Sequence, residues 1–132
     1  MEDTMIDSIT PSDWVTSDDI IKGCSFVVCN TDSQALRCSP VPTQIQMGRG
    51  LGAGTNPING RNAAIESQEQ IEKTVLDSHT KMLFITAGMG GGTGTGAAPV
   101  IAKMSKDKGI LTVAVVTLPF LNEGNEALSR AI

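Results

Sequence analysis

The part of this chain best suited to chemistry is a run of glycines within FITAGMGGGTGTGAAPV, residues 84–100. Six of the nine residues from Gly88 to Gly96 are glycine, and Thr93 and Thr95 lie among them. An apolar segment precedes the run, and small residues compatible with a helix follow it. A strand, a glycine-rich turn and a helix present several backbone N–H groups at the positive end of a helix dipole. Because glycine has no Cβ, phosphate oxygens can approach this main chain closely, so the pattern predicts a phosphate-binding loop.

A second glycine-rich segment, GRGLGAGTNP, spans Gly48 to Pro57, and ten of the fourteen glycines lie in the two segments. A turn-forming cluster, Asn30-Thr31-Asp32, follows another apolar run. In parallel sheets, ligands bind at the carboxyl ends of the strands, in the loops that lead into helices. We therefore expect both glycine segments and the Asn30–Asp32 turn to meet at one edge of a sheet.

Two common phosphate-binding patterns fit poorly. The G-x-x-x-x-G-K-[ST] loop is absent, because no glycine is followed by lysine. Gly92, Gly94 and Ala97 match the relaxed dinucleotide pattern, but that pattern needs an acid about 20 residues later. Thr117 and Leu118 occupy that place, which makes a dinucleotide enzyme the weaker interpretation.

The elements that would position these loops alternate along the chain. Four short runs are continuously apolar or alternate in polarity, as strands do: 25–29, 43–47, 82–86 and 111–116. Two longer segments, 60–76 and 95–108, have helical spacing of their apolar or small residues. Apolar strands separated by helices are typical of a parallel sheet covered on both faces, so the predicted fold class is α/β.

Composition excludes several classes. No apolar run approaches the ~20 residues of a membrane span, and the acidic N-terminus does not resemble a signal peptide. Residues 1–20 contain six acids and no base, whereas the other residues contain eight acids and ten bases. Basic clusters and aromatic stacking platforms are absent, which argues against nucleic acid as a partner. Cys24, Cys29 and Cys38 do not have a common zinc spacing, so we expect reduced thiols in a cytoplasmic protein.

Four segments resemble successive nucleotide loops of the tubulin/FtsZ family, in order and at the right distances. These segments are VVCNTDSQAL, GLGAGTNPINGRNAA, FITAGMGGGTGTGAAPVIA and ILTVAVVTLPFLNEG. The resemblance covers about residues 21–124. It implies a three-layer Rossmann-like domain of a filament-forming cell-division GTPase, with residues 21–132 as a partial GTP-binding domain after a divergent acidic segment, 1–20.

The resemblance also implies a set of nucleotide-binding residues. GTP or GDP would be held by its α- and β-phosphates at Gly90, Gly91, Gly92, Thr93, Gly94, Thr95 and Gly96. Gly52, Ala53, Gly54 and Asn56 would lie near the γ-phosphate and an assisting Mg²⁺. Asn30 and Asp32 would border the nucleotide, and Pro119 and Glu123 would lie at the ribose.

The chain also departs from the family pattern. Residues 1–20 occupy the length of the family's first strand and first glycine loop without a single glycine. The best structural interpretation there is a short strand, Thr4–Ile9, and then a helix that begins around Thr10-Pro11-Ser12-Asp13. Ala127 stands where the family has an arginine that reaches the phosphates. The chain also ends before the family's central helix and C-terminal domain. We therefore expect weakened nucleotide binding and no self-sufficient hydrolysis.

Two further expectations follow. Thr4–Ile9 would fill a central slot of the sheet poorly and leave backbone unpaired, so the chain is expected to self-associate or to associate with full-length subunits of the family. The alternative function is an interaction or regulatory domain that keeps the fold and has lost nucleotide binding.

Overall fold

The computed structural model describes the main chain of residues 2–7 and residues 24–119 and 129–131. The strands are β1 (Glu2–Asp7), β2 (Cys24–Asn30), β3 (Gln44–Gln46), β4 (Thr80–Gly88) and β5 (Leu111–Thr117). The helices are α1 (Ser33–Arg37), α2 (Pro57–Glu66), α3 (Gln68–Val75) and α4 (Thr93–Asp107).

The described strands form one parallel sheet in the order β3-β2-β1-β4-β5. This confirms the predicted parallel α/β architecture. Consecutive parallel strands must be joined by crossovers, and α2–α3 and α4 provide two of them. All carboxyl ends therefore meet at one edge of the sheet, where the glycine segments follow β3 and β4.

The core lies between one face of the sheet and the helices α2, α3 and α4. Alternate residues of the strands point into it, including Val27 and Cys29 from β2 and Leu83 and Ile85 from β4. Ile71 and Ile101, from α3 and α4, are also almost fully buried there. This packing fixes where α4 begins relative to the end of β4.

The central strand β1 lies between β2 and β4, as predicted, and begins at Glu2, two residues before the predicted start at Thr4. The predicted end at Ile9 lies outside the described residues. The backbone of β1 pairs with both neighbours, so the expectation of unpaired backbone in the central slot is wrong.

The predicted continuous helix 60–76 is two helices that meet at Ser67. The Ser67 hydroxyl accepts a hydrogen bond from the N–H of Gly48 at 3.2 Å, and serine at this position ends one helix and begins the next. Helical periodicity continues across such a break, so the sequence pattern did not reveal it. The short helix α1 was also not predicted; the sequence analysis assigned a turn only to the preceding residues, Asn30–Asp32.

Among the described residues, no helix is long and apolar enough to cross a membrane. The predicted helix start at Thr10–Asp13, the ribose candidate Glu123 and the substituted position Ala127 lie outside the described residues.

Candidate functional site

Three loops meet at the carboxyl edge of the sheet and are joined by hydrogen bonds. The hydroxyls of Thr31, after β2, and Thr93, at the start of α4, are 2.5 Å apart. The N–H of Gly52 donates to the carbonyl of Thr31 at 2.9 Å, and the N–H of Ser33 donates to the carbonyl of Gly50 at 3.0 Å. The structure therefore brings together the segments that the sequence predicted to meet.

The loop between β4 and α4 has the geometry of an anion site. Gly90 has φ 110°, a conformation that residues with a side chain rarely adopt. Its N–H donates to the Thr95 hydroxyl at 2.8 Å, which folds the loop over the first turn of the helix. Gly92, the N-cap of α4, makes no side-chain capping bond. Among the described residues, the N–H groups of Thr93, Gly94 and Thr95 have no hydrogen-bond acceptor, as is usual for the first turn of a helix.

Gly91 is an exposed position of this loop. A Cβ built on it would have no atom within 4 Å among the described residues. Within the same part of the chain, its N–H has no hydrogen-bond acceptor. Close approach of a ligand to the main chain is therefore possible at Gly91.

Gly92 and Gly96 are needed for a different reason. A Cβ on Gly96 would lie 2.0 Å from the carbonyl oxygen of Pro57, and a Cβ on Gly92 would lie 2.8 Å from the backbone nitrogen of Asn56. Gly60 makes the reciprocal approach from α2, where a Cβ would lie 2.3 Å from the carbonyl oxygen of Gly92. Part of the glycine excess thus serves the close packing of α2 against α4. Any contact of Gly92 or Gly96 with a ligand would use the main chain alone.

Gly94 borders the interior. It is buried and lines a small apolar cavity of about 20 Å³ between α4 and the sheet, together with Met47 and Ile85. A larger residue there would press on the core and could change the fold as well as the loop. For that reason a substitution of Gly94 cannot test ligand binding by itself.

The second loop, 48–56, has a strained backbone. Gly52 and Gly54 have φ values of 87° and 60°, and Thr55 has φ 59°, which is unfavourable for a β-branched residue. Ala53 is buried, and its carbonyl accepts hydrogen bonds from the Asn59 side chain and the Asn56 N–H, both at 3.1 Å. Strained conformations of this kind concentrate at functional sites, where surrounding contacts maintain them.

Asn30, Asp32 and Asn56 use their side chains locally. Asn30 Oδ1 accepts from the Asp32 N–H at 3.1 Å. Asp32 Oδ1 caps α1 through the Gln34 N–H at 2.9 Å, and Asn56 Oδ1 caps α2 through the Ile58 N–H at 3.0 Å. Each of these bonds leaves further acceptor capacity on Asp32 and Asn56, which place oxygen atoms at the rim of the loops.

The described residues provide few ligands for a metal. They contain no group of three or more His, Cys, Asp or Glu side chains that could hold an ion. Beside nucleotides, magnesium commonly takes most of its ligands from phosphate and water, so that one or two protein oxygens, such as those of Asp32 and Asn56, would suffice.

Arg130 is a residue at the site that the sequence analysis missed. Its Nε donates to the carbonyl of Gly90 at 2.5 Å, and the residue is half-buried. The N–H of Met89 donates to the carbonyl of Thr117 at 2.8 Å, which brings the end of β5 and the buried Pro119 to the same edge. No local sequence signal marks a contact between residues 40 positions apart.

The cysteines differ in environment. Cys29 is buried, and burial raises the pKa of its thiol from the ordinary value of 9.0 to about 12. Cys38 is exposed beyond α1. A thiol with such a high pKa is a poor nucleophile, so Cys29 has a packing role in the core.

Known proteins resemble this chain in sequence and structure. The model of the Tubulin/FtsZ family, GTPase domain, matches residues 15–132. The cell division protein FtsZ of Porphyromonas gingivalis is 50% identical over 116 residues, which is 85% of this chain and 25% of that protein. The Pseudomonas putida protein of the same name is 52% identical over 115 residues, 84% of this chain and 28% of that protein.

A solved structure agrees with these relatives. The empty FtsZ dimer of M. jannaschii superposes with a TM-score of 0.86 at 44% identity, over 98% of this chain and 39% of that chain. The present chain thus spans about a quarter of the length of the curated relatives it matches. With the family model covering most of its residues and half of the aligned positions identical to FtsZ, the chain belongs to the Tubulin/FtsZ family, in its GTPase domain.

Proposed function

We propose that this chain is the phosphate-binding part of a guanine-nucleotide site in an FtsZ-like cell-division GTPase of the cytoplasm. The observation that carries the proposal is the open main chain at Gly91, at the N-terminus of α4 and beside the strained loop 48–56. A helix N-terminus with free N–H groups and no obstructing side chain favours a phosphate group. Family membership selects GTP or GDP among phosphate ligands.

The proposed roles of the residues are those that the resemblance to the family implies. The N–H groups from Gly91 to Thr95 would bind the α- and β-phosphates. The loop that contains Gly52, Gly54 and Asn56 would lie near a γ-phosphate, and Asp32 and Asn56 would contribute oxygens to Mg²⁺. Pro119 and Glu123 would border the ribose. Residues 21–132 would form this partial domain, and assembly into filaments with full-length subunits would follow from the family.

The test is nucleotide binding by a graded pair of variants, Gly91→Ala and Gly91→Val. Because a Cβ at Gly91 has no atom of the described residues within 4 Å, we expect both variants to fold like the parent. The added methyl groups would occupy the space that phosphate oxygens need, so affinity for GTP and GDP should fall about tenfold or more with valine and less with alanine.

The matched control is Ser78→Val, which adds similar bulk at an exposed residue beyond the opposite edge of the sheet. Equilibrium titration with a fluorescent GTP analogue, with circular dichroism as a check on folding, gives the comparison. Equal affinity of the parent and Gly91→Val would remove this loop as the site. A parent chain that binds no nucleotide would instead support the interaction-domain alternative.

A further inference from the structure

We infer that Arg130 is a positioning residue of the nucleotide site, which acts by fixing the peptide that joins Gly90 to Gly91 and thereby aims the Gly91 N–H at a phosphate group. This inference rests on the proposed function. It concerns a residue far along the chain from the glycine loop and outside every motif that identified the site.

The first step is the hydrogen bond itself. Arg130 Nε donates to the Gly90 carbonyl oxygen, and Arg130 is half-buried against the loop. A charged donor bound to a carbonyl makes a stronger hydrogen bond than a neutral donor does. The carbonyl of Gly90 is therefore held toward Arg130.

The second step is peptide geometry. The described chain contains no cis peptide bond, so the Gly90 carbonyl and the Gly91 N–H point in opposite directions from one planar group. Holding the carbonyl toward Arg130 turns the Gly91 N–H away from it. Among the described residues this N–H has no acceptor, and the space around Gly91 is open.

The third step is the flexibility of the Gly90–Gly91 peptide, which would rotate without a restraint. Glycine has the widest range of backbone conformations, and two or more adjacent glycines allow the peptide between them to rotate. The Thr95 hydroxyl fixes the N–H of Gly90, on one side of that residue, at 2.8 Å. Arg130 fixes the carbonyl on its other side, so together they hold Gly90 at its φ of 110°. A prearranged donor binds more tightly than one that must be ordered on binding.

The test measures GDP and GTP affinity of the full 132-residue chain with Arg130→Ala, Arg130→Lys, Gly91→Val and the double variant Arg130→Ala/Gly91→Val. Arg37→Ala, at the exposed end of α1, controls for loss of one positive charge. We expect Arg130→Ala to lower affinity about tenfold and Arg37→Ala to leave it unchanged. Arg130→Lys, which retains a charged donor of similar reach, should recover most of the affinity.

The double variant separates positioning from direct attraction. If Arg130 acts through the Gly91 N–H, its removal should cost little once valine blocks that N–H, so the two losses should not add. A ¹⁵N–¹H spectrum without nucleotide gives an independent readout, in which the Gly91 amide resonance should shift in Arg130→Ala and return toward the parent position in Arg130→Lys. Should Arg130→Ala fail to fold, Arg130→Met takes its place, because it keeps a long side chain but has no donor for the Gly90 carbonyl. Lower affinity with a shifted Gly91 resonance in Arg130→Met would support the inference, and parent-like affinity would overturn it.

Failure of this inference and failure of the proposed function would give different results. A parent chain that binds nucleotide while Arg130→Ala binds equally well overturns this inference and leaves the proposed function intact. Additive losses in the double variant would show that Arg130 acts by another route. A parent chain that binds no nucleotide overturns the proposed function and this inference with it.

Discussion

At the residue scale, the glycines of the loop 88–96 have separate physical roles. Gly90 adopts a backbone conformation that favours glycine, Gly91 leaves open space, and Gly96 lies against the backbone of α2. A sequence motif records only that each position is glycine. The consequence for experiments is that substitutions at different glycines of the same motif test different properties of the protein.

The burial of Cys29 predicts how the stability of the chain depends on pH. The pKa of its thiol is about 12 in the folded chain, against 9.0 for an unburied cysteine thiol, because burial disfavours the thiolate. Above pH 9 the unfolded chain releases this proton and the folded chain retains it. The free energy of unfolding should therefore fall as pH rises from 9 toward 12, by up to about 1.4 kcal/mol per pH unit.

Urea denaturation at pH 8, 9 and 10 measures this slope. Cys29→Ala should be less stable at pH 8 but should lose stability less steeply above pH 9. Cys38→Ala, which removes an exposed thiol, should keep the slope of the parent. An unchanged slope in Cys29→Ala would assign the alkaline loss of stability to other groups.

At the element scale, the packing of α2 against α4 positions the N-terminus of α4 at the site. The two helices approach so closely that a Cβ on Gly96 would overlap the carbonyl oxygen of Pro57 at 2.0 Å and the nitrogen of Arg61 at 2.7 Å. Both are backbone atoms, so neither can move without the helix. This contact sets the distance between the two glycine loops. The hydrogen bond between Thr31 and Thr93 joins the loop 88–96 to the turn after β2.

We therefore predict that Gly96→Ala destabilises the chain. Alanine is favoured over glycine in a helix by about 1 kcal/mol, but overpacking against backbone costs about 1–3 kcal/mol or more. The clash should outweigh the helical gain, and the free energy of unfolding from urea denaturation should fall. Gly91→Ala is the control and should remain close to the parent, because a Cβ there has no atom of the described part of the chain within 4 Å. Equal stability of the two variants would mean that α2 and α4 lie farther apart in solution.

At the scale of the whole molecule, β5 leaves apolar surface exposed. It is an edge strand among the described strands, and Leu111, Val115 and Leu118 are between 56% and 61% exposed. Exposed apolar edge strands promote association between chains. This surface, rather than unpaired backbone at β1, is the physical basis for the predicted self-association.

Analytical ultracentrifugation across a concentration series tests that prediction. The parent chain should form dimers or larger species, and Val115→Lys should shift the distribution toward monomer because a charge opposes burial of the strand. Ile65→Lys alters an apolar residue that is 46% exposed on α2 and should leave the distribution unchanged. A parent chain that remains monomeric at every concentration would contradict the prediction.

Hydrolysis is also a property of the whole molecule. It requires a positioned water and stabilisation of the transferring phosphoryl group. Where the structure describes the side chains, Asp32 caps α1 and the Glu66 carboxylate lies next to Gly48. Neither lies on the loop 88–96, so we predict that the chain alone binds GTP without turning it over above background.

Phosphate release by the purified chain, alone and mixed with an equal concentration of a polymerising full-length FtsZ, measures this property. Steady turnover by the chain alone would contradict the prediction. A rise that occurs only in the mixture, and that Gly91→Val abolishes, would show that a second subunit completes the site.

The sequence by itself determined the features that depend on neighbouring residues. The apolar runs predicted the ends of β2, β3, β4 and β5 to within two residues. The glycine segments predicted loops at the carboxyl edge of a parallel sheet. Both predictions succeed because apolar pattern and glycine content act locally. The family resemblance followed from four such segments in order. The family model confirms it.

The tertiary structure decided the features that depend on residues distant in the chain. The break at Ser67 is stabilised by Gly48, the need for glycine at Gly96 comes from Pro57, and the orientation of the Gly90 carbonyl comes from Arg130. These partners are separated by 19 to 40 positions. Their contacts arise only when the helices and strands pack, and no periodicity within one element encodes them.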